Sequence, residues 1–253
     1  MARWPFRDST FIDSEDEQWQ IELWRWFLER FASQVDFRKN PLVLPTSEFF
    51  PPTGKTGHDR AEHIFRCVQR LARMPDWPCR LEAQPHRPEL RVGDYLALKP
   101  IKQGPLGTFG WDGEQVMITY DPSALDQPVK LIATFAHELA HYLLAGSRAD
   151  IPGGEELHEP ATDLLTVYMG FGVFGAASAF EFHSSMTGWG WSAGGYISQR
   201  AWIFALAIFL ELRGENAAAV KPYFKTHLFS DLGDGVRYLR RKQKLAGMVI
   251  PSV

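Results

Sequence analysis

The chain has little cysteine. Cys67 and Cys79 are the two cysteines in 253 residues, too few for a disulfide framework, and a reduced cytoplasmic setting is expected. It also lacks an excess of either charge. Lys and Arg number 27 against 30 Asp and Glu, a net charge of −3, so nothing in the balance calls for nucleic acid as a partner. The opening residues Met1–Asp8 contain no apolar core of a secretory signal. There is no internal repeat and no low-complexity segment. Long apolar runs are scarce as well. Leu164–Phe180 carries no charge, but it is short for a membrane span and interrupted by glycines, and mean hydropathy over the chain is −0.22. It reads as a buried helix, and no membrane is expected as a partner. An intramembrane metalloprotease, resting on this stretch and the apolar motif helix, is the lesser reading, which purification without detergent would sink.

What remains is ordinary for a soluble globule with a substantial core: 45% hydrophobic and 23% charged residues. The length fits one large domain or a catalytic domain with an extension. Residues 1–57 are expected to form an N-terminal helix followed by a Pro/Gly-rich extension, and residues 58–253 the main domain.

Within the main domain, the run Thr134–Leu144 contains His137-Glu138-Leu139-Ala140-His141. On a helix the two histidines sit about 40° apart on one face, one turn above the other. Placed so, two imidazoles reach one metal ion from one side. Glu138 lies about 100° further round, suited to a water beside the metal rather than to coordination. Leu131, Phe135, Leu139, Tyr142 and Leu143 fall on the other side, so the helix can anchor in a core while its histidines face a cleft. Asp126 is a plausible cap for this helix.

A two-histidine zinc site still needs a third protein ligand and an open position. Downstream, Gly153–Leu165 offers Glu155, Glu156, His158 and Glu159. Glu159 is favoured because Asp163 follows one turn later on the same helical face. There Asp163 would accept a ring N–H from a ligand histidine and fix its tautomer. Pro160 is tolerable if Glu159 caps the helix and Pro160 is its first residue.

His137, Glu138 and His141, followed by Glu159 and Asp163, resemble the gluzincin class of zinc metallopeptidases, the thermolysin-like group. The resemblance spans roughly residues 110–180. It implies zinc held by the two histidines and Glu159, Glu138 as general base, and an edge strand beside the cleft that pairs with an extended substrate.

Around the motif, residues 15–36 read as an amphipathic helix through Trp19, Leu23, Phe27 and Phe31, and a second helix runs from about Arg60 to Met74. Residues 79–84 and 90–99 read as short strands. Gly107–Tyr120 reads as a hairpin turning at Asp112-Gly113. After a Gly/Trp-rich loop over 181–195, Ser198 starts an apolar helix, and helices follow at about 215–226 and 229–243. The last carries Arg237, Arg240, Arg241, Lys242 and Lys244, read as a solvated face. Gly54-Lys55-Thr56 is no phosphate loop, because Phe49 stands where the motif needs glycine. Gly170–Gly175 matches a dinucleotide fingerprint in letters only, with no strand before it; its glycines read as places of close helix approach.

The expected fold is α+β and mainly helical: zincin-like, with a small sheet or hairpin beside the motif helix and a helical C-terminal half. The expected function is zinc-dependent hydrolysis of peptide bonds in a peptide or protein substrate, with one zinc per chain and a zinc-bound water activated by Glu138. The alternative is an inactive metal-binding or interaction module on the same scaffold. A developing oxyanion needs a further donor, for which His183, Tyr196, Tyr142 and Tyr168 are candidates.

Overall fold

In a computed structural model describing residues 10–85, 107–111, 114–176 and 197–251, the acidic run Asp13–Glu17 opens the first helix, α1 (Ser14–Arg30). The Asp13 carboxylate accepts the Glu15 N–H at 2.9 Å, and Glu15, Asp16 and Glu17 sit at the positive end of the helix dipole. The helix stops short of the predicted residue 36. Asp36 instead caps a short turn at Phe37–Lys39, accepting the Arg38 N–H at 3.1 Å, a local bond that competes with helix continuation. The apolar face of α1 is aromatic. Trp24 packs against Phe37 and Tyr168 at ring separations of 5.9 and 6.0 Å, and Phe37 stacks on Tyr168 at 5.0 Å.

Helix α2 (Gly57–Leu71) starts and ends about three residues earlier than its apolar pattern predicts. A three-stranded sheet follows, in the order β1-β3-β2, from β1 (Cys79–Ala83), β2 (Gly107–Trp111) and β3 (Val116–Tyr120). β3 is central, parallel to β1 and antiparallel to β2. Its alternation buries Val116, Ile118 and Tyr120. The predicted hairpin is thus present, and β2 is an edge strand among the described residues. The predicted strand at 90–99 and the turn residues Asp112 and Gly113 lie outside the described residues.

The motif helix is α3 (Pro128–Leu144). Asp126 does not cap it. Asp126 ends a preceding turn, Pro122–Asp126, whose own cap is Asp121, and Gln127 occupies the cap position without a side-chain bond. Pro128 at the first position supplies the start instead, since its missing N–H would be unpaired there anyway. Leu131, Phe135, Leu139 and Leu143 are buried as predicted. α3 packs on α2, on the sheet and on α4 (His158–Tyr168).

The charge-free stretch after Asp163 is not one helix. α4 ends at Tyr168, and Gly170 takes φ +99°. A Cβ at Gly170 would lie 2.0 Å from the Pro41 carbonyl oxygen, and the neighbouring Val43 N–H bonds the Gly170 carbonyl at 3.0 Å. At Gly170 the close approach is to the non-helical segment Pro41–Val43, whereas at Gly172 and Gly175 it is, as expected, to a helix, through Leu206 and Trp202. A helical turn at 172–176 follows, where Gly175 lies against Trp202.

Helix α5 (Gln199–Arg213) begins at its predicted cap, Ser198, whose hydroxyl accepts the Ala201 N–H at 3.2 Å. Every residue from Ala201 to Leu210 is buried, and α4 and α6 (Thr226–Lys242) pack on it. The helix predicted at 215–226 is instead a 3-10 turn at Ala217–Tyr223, where Pro222 denies an α-helix its hydrogen bond. The basic face of α6 is largely engaged. Arg240 makes two 2.7 Å bonds to Glu211, Arg237 pairs with Asp234, and Lys244 reaches the buried Glu17 at 2.5 Å. The structure is thus mainly helical with one small sheet. Among the described residues no helix is long and apolar enough to cross a membrane.

Replacing Gly170 by alanine is expected to destabilise the fold by about 1–3 kcal/mol, from the positive φ and the contact with the Pro41 carbonyl. A urea midpoint unchanged from wild type would contradict this.

Candidate metal centre

Helix α3 presents His137 and His141 one turn apart, with their Nε2 atoms 3.0 Å from each other. Glu159, from the first turn of α4, places Oε2 3.5 Å from each of the two nitrogens. The three form the one group of potential metal ligands found among the described residues. Glu159 is not the helix cap, as the sequence suggested. Leu157 occupies that position, His158 is the first helical residue, and Glu159 and Pro160 follow. Pro160 is still accommodated, because the first four N–H groups of a helix have no partner within it.

The spacing suits a tetrahedral cation. An ion about 2.0–2.1 Å from each ligand sets those ligands roughly 3.3–3.4 Å apart. The edges here are 3.0, 3.5 and 3.5 Å. Glu159 is half exposed, with 57% of its side chain accessible.

The backs of the histidines are held by α4. Asp163 Oδ1 accepts the His137 Nδ1–H at 2.9 Å, as the one-turn spacing from Glu159 predicted. This bond fixes the proton on Nδ1 and leaves Nε2 bare in the neutral ring. Thr162 was not anticipated. Its hydroxyl donates to the His158 carbonyl at 2.8 Å and stands 3.4 Å from His141 Nδ1 as an acceptor. Glu159, Thr162 and Asp163 thus share one face of α4 at helical spacing. The available signal was Thr162's place three residues after Glu159, on the ligand face.

The rival ligands lie elsewhere. Glu155 and Glu156 are outside the group. His158 stacks on the His141 ring at 5.0 Å and 24°, with Nδ1 near Arg148 Nη2 at 3.4 Å and Glu159 Oε1 at 3.5 Å. It lines the ligands without joining them. Of the oxyanion candidates, Tyr168 is fully buried in the aromatic cluster and Tyr142 donates to the Pro78 carbonyl at 3.2 Å, so neither faces the ligands. His183 and Tyr196 lie outside the described residues. Phe109 of β2, also unanticipated, lies nearly parallel to His141 at 6.4 Å.

No protein-family model, curated protein or solved structure matches this chain. What the site can do is therefore read from its own atoms.

Two ring nitrogens 3.0 Å apart, with a carboxylate oxygen 3.5 Å from both, need a proton or a cation to bridge them. Burial pulls the His137 pKa down, but hydrogen bonds to Asp163 and Glu159 outweigh it and raise the value to about 10. Bonds from His137 and His141 hold the Glu159 carboxyl far below the usual carboxylate range. Burial pushes Glu138 up. Glu138 is 5% exposed and makes no side-chain hydrogen bond among the described residues. A carboxyl shifted upward by burial, beside two histidines and a second carboxylate, is a mark of a functional group.

Two outcomes follow. Asp163→Asn is expected to weaken zinc affinity about 10–100-fold, measured by competition with a chromophoric chelator; unchanged affinity would break the link between Asp163 and the ligands. Zinc bound here would also compete with a proton for His137 Nε2, as the His137 pKa is raised to about 10. Affinity in the wild type should therefore rise about tenfold per pH unit between about pH 6 and pH 8 for each proton displaced. A flat profile would show that His137 carries no proton to displace.

Proposed function

We propose that the chain is a zinc-dependent metallopeptidase of the gluzincin type, with His137, His141 and Glu159 as ligands and Glu138 as general base. The observation that carries this reading is the convergence of His137 Nε2, His141 Nε2 and Glu159 Oε2, with Asp163 behind His137. Two histidines and a glutamate, three protein ligands rather than four, are a donor set of catalytic zinc rather than structural zinc.

When bound, zinc acidifies a water to a pKa of about 7 and polarises a carbonyl oxygen. The remaining work belongs to the chain. His137 and His141 give up their Nε2 lone pairs, and Asp163 holds the His137 ring in the tautomer that allows it. Glu138 lies on the same helix, about 100° round from His137 and near enough to interact with His137, His141 and Glu159, where its carboxylate would act on a metal-bound water. Its raised pKa brings it closer to neutrality, which suits a group that takes a proton and then returns it to a leaving amine. The reaction this supports is hydrolysis of a peptide or other amide bond. The edge of β2 that is unpaired among the described residues, beside α3, is where an extended substrate would pair.

Elemental analysis of wild type beside His141→Ala tests the ligands: about one zinc per chain in the first and near none in the second is expected. Glu138→Gln should keep its zinc and lose about 100- to 10,000-fold in turnover of a quenched-fluorescent peptide library. Zinc-loaded wild type with no hydrolysis would leave a metal-binding module in place of an enzyme.

A further inference from the structure

Strand β2 begins at Gly107, and that position has no room for a side chain. A Cβ there would lie 2.7 Å from Thr134 Cγ2, 2.9 Å from Glu138 Oε1 and 2.9 Å from the Thr119 carbonyl oxygen. One of the three is an oxygen of the carboxylate assigned above as the base. Gly107 has no left-handed φ, so alanine would fit its backbone and would suit a strand better than glycine. The demand for glycine arises from contact alone.

The strand cannot step aside to relieve that contact. Gly107 pairs with Tyr120 and Phe109 with Ile118 across the β2–β3 ladder. Alternation puts Gly107 and Phe109 on one face, and the Phe109 ring lies 6.4 Å from His141 and 5.6 Å from Tyr142. Two residues of strand advance about 6.6–6.8 Å, and four residues of helix about 6 Å. β2 therefore tracks α3 in step, with Gly107 over Thr134 and Glu138 and Phe109 over His141 and Tyr142.

We propose that Gly107 is a positioning residue for Glu138: its missing side chain is the space that holds the carboxylate of the base in place. This inference rests on the reading of Glu138 as general base. Glu138 has no hydrogen-bond partner among the described residues to draw it back once displaced. None of the metal-ligand atoms is among the three nearest to that Cβ, so retained zinc is the expected outcome when the base moves.

The test is a double-mutant cycle on the full-length, zinc-loaded protein. It takes wild type, Gly107→Ala, Glu138→Gln and the double variant through zinc content and turnover of the same peptide library. Gly107→Ala is expected to retain about one zinc and lose roughly 10–100-fold in kcat. The double variant should match Glu138→Gln alone, because a base already removed cannot be displaced. Gly107→Ala within twofold of wild type would overturn the proposal. So would an equal further loss in the Glu138→Gln background, which would mark a general disturbance of the sheet. If Gly107→Ala does not fold, combining it with Thr134→Ser removes the closest contact and leaves the one to Glu138. A zinc-loaded wild type that hydrolyses nothing removes the hydrolytic reading, and this proposal with it. An active wild type with an equally active Gly107→Ala removes this proposal alone.

Discussion

Two imidazole nitrogens held 3.0 Å apart, with a carboxylate oxygen 3.5 Å from both, form an arrangement that needs a proton or a cation among its lone pairs. Bare lone pairs would repel one another and the carboxylate would repel both. Protons meet the demand in part, which is why His137 is held at so high a pKa and Glu159 at so low a one. A divalent cation meets it more fully, with donors of suitable type and spacing. The surrounding fold keeps these groups from relaxing apart.

That restraint comes from the position of α3. It is enclosed by α2, the sheet and α4, and its apolar face is buried at Leu131, Phe135, Leu139 and Leu143. The helix therefore cannot rotate its histidines away. α4 is fixed from behind by α5 and by the aromatic cluster linking Tyr168 to Trp24 and Phe37. Glu159 and Asp163 are thus delivered by a helix whose opposite face is anchored in the core of the N-terminal segment. The rigidity of the site is borrowed from packing well away from it.

Much of this was legible in the sequence, because helical spacing is a strong local rule. His137, His141, Glu159 and Asp163 are brought together as their spacing implied, the strands 107–111 and 116–120 pair antiparallel as expected, and the Ser198 cap follows from cap chemistry. The failures also share a cause. Asp126 and Glu159 are good capping residues in composition, yet Pro128 and the turn at Glu155–Leu157 decide where α3 and α4 begin. Leu164–Phe180 has the composition of one helix, but Gly170 breaks it to meet the Pro41 carbonyl, a contact between distant parts of the chain that no local pattern records. Thr162, Phe109 and Gly107 were missed for the same reason. Each matters through what it touches across elements rather than through its own neighbours in sequence.

The site's donors all lie between His137 and Asp163, on two helices joined by a single connection at 145–157. Loop-closure entropy grows only slowly with length and is modest for so short a segment. Bringing the two halves together is therefore a nearly local event. A bound cation would act as a clasp on this helix pair, and the chain-entropy penalty for assembling its coordination sphere is set by those few connecting residues rather than by the topology of the whole protein.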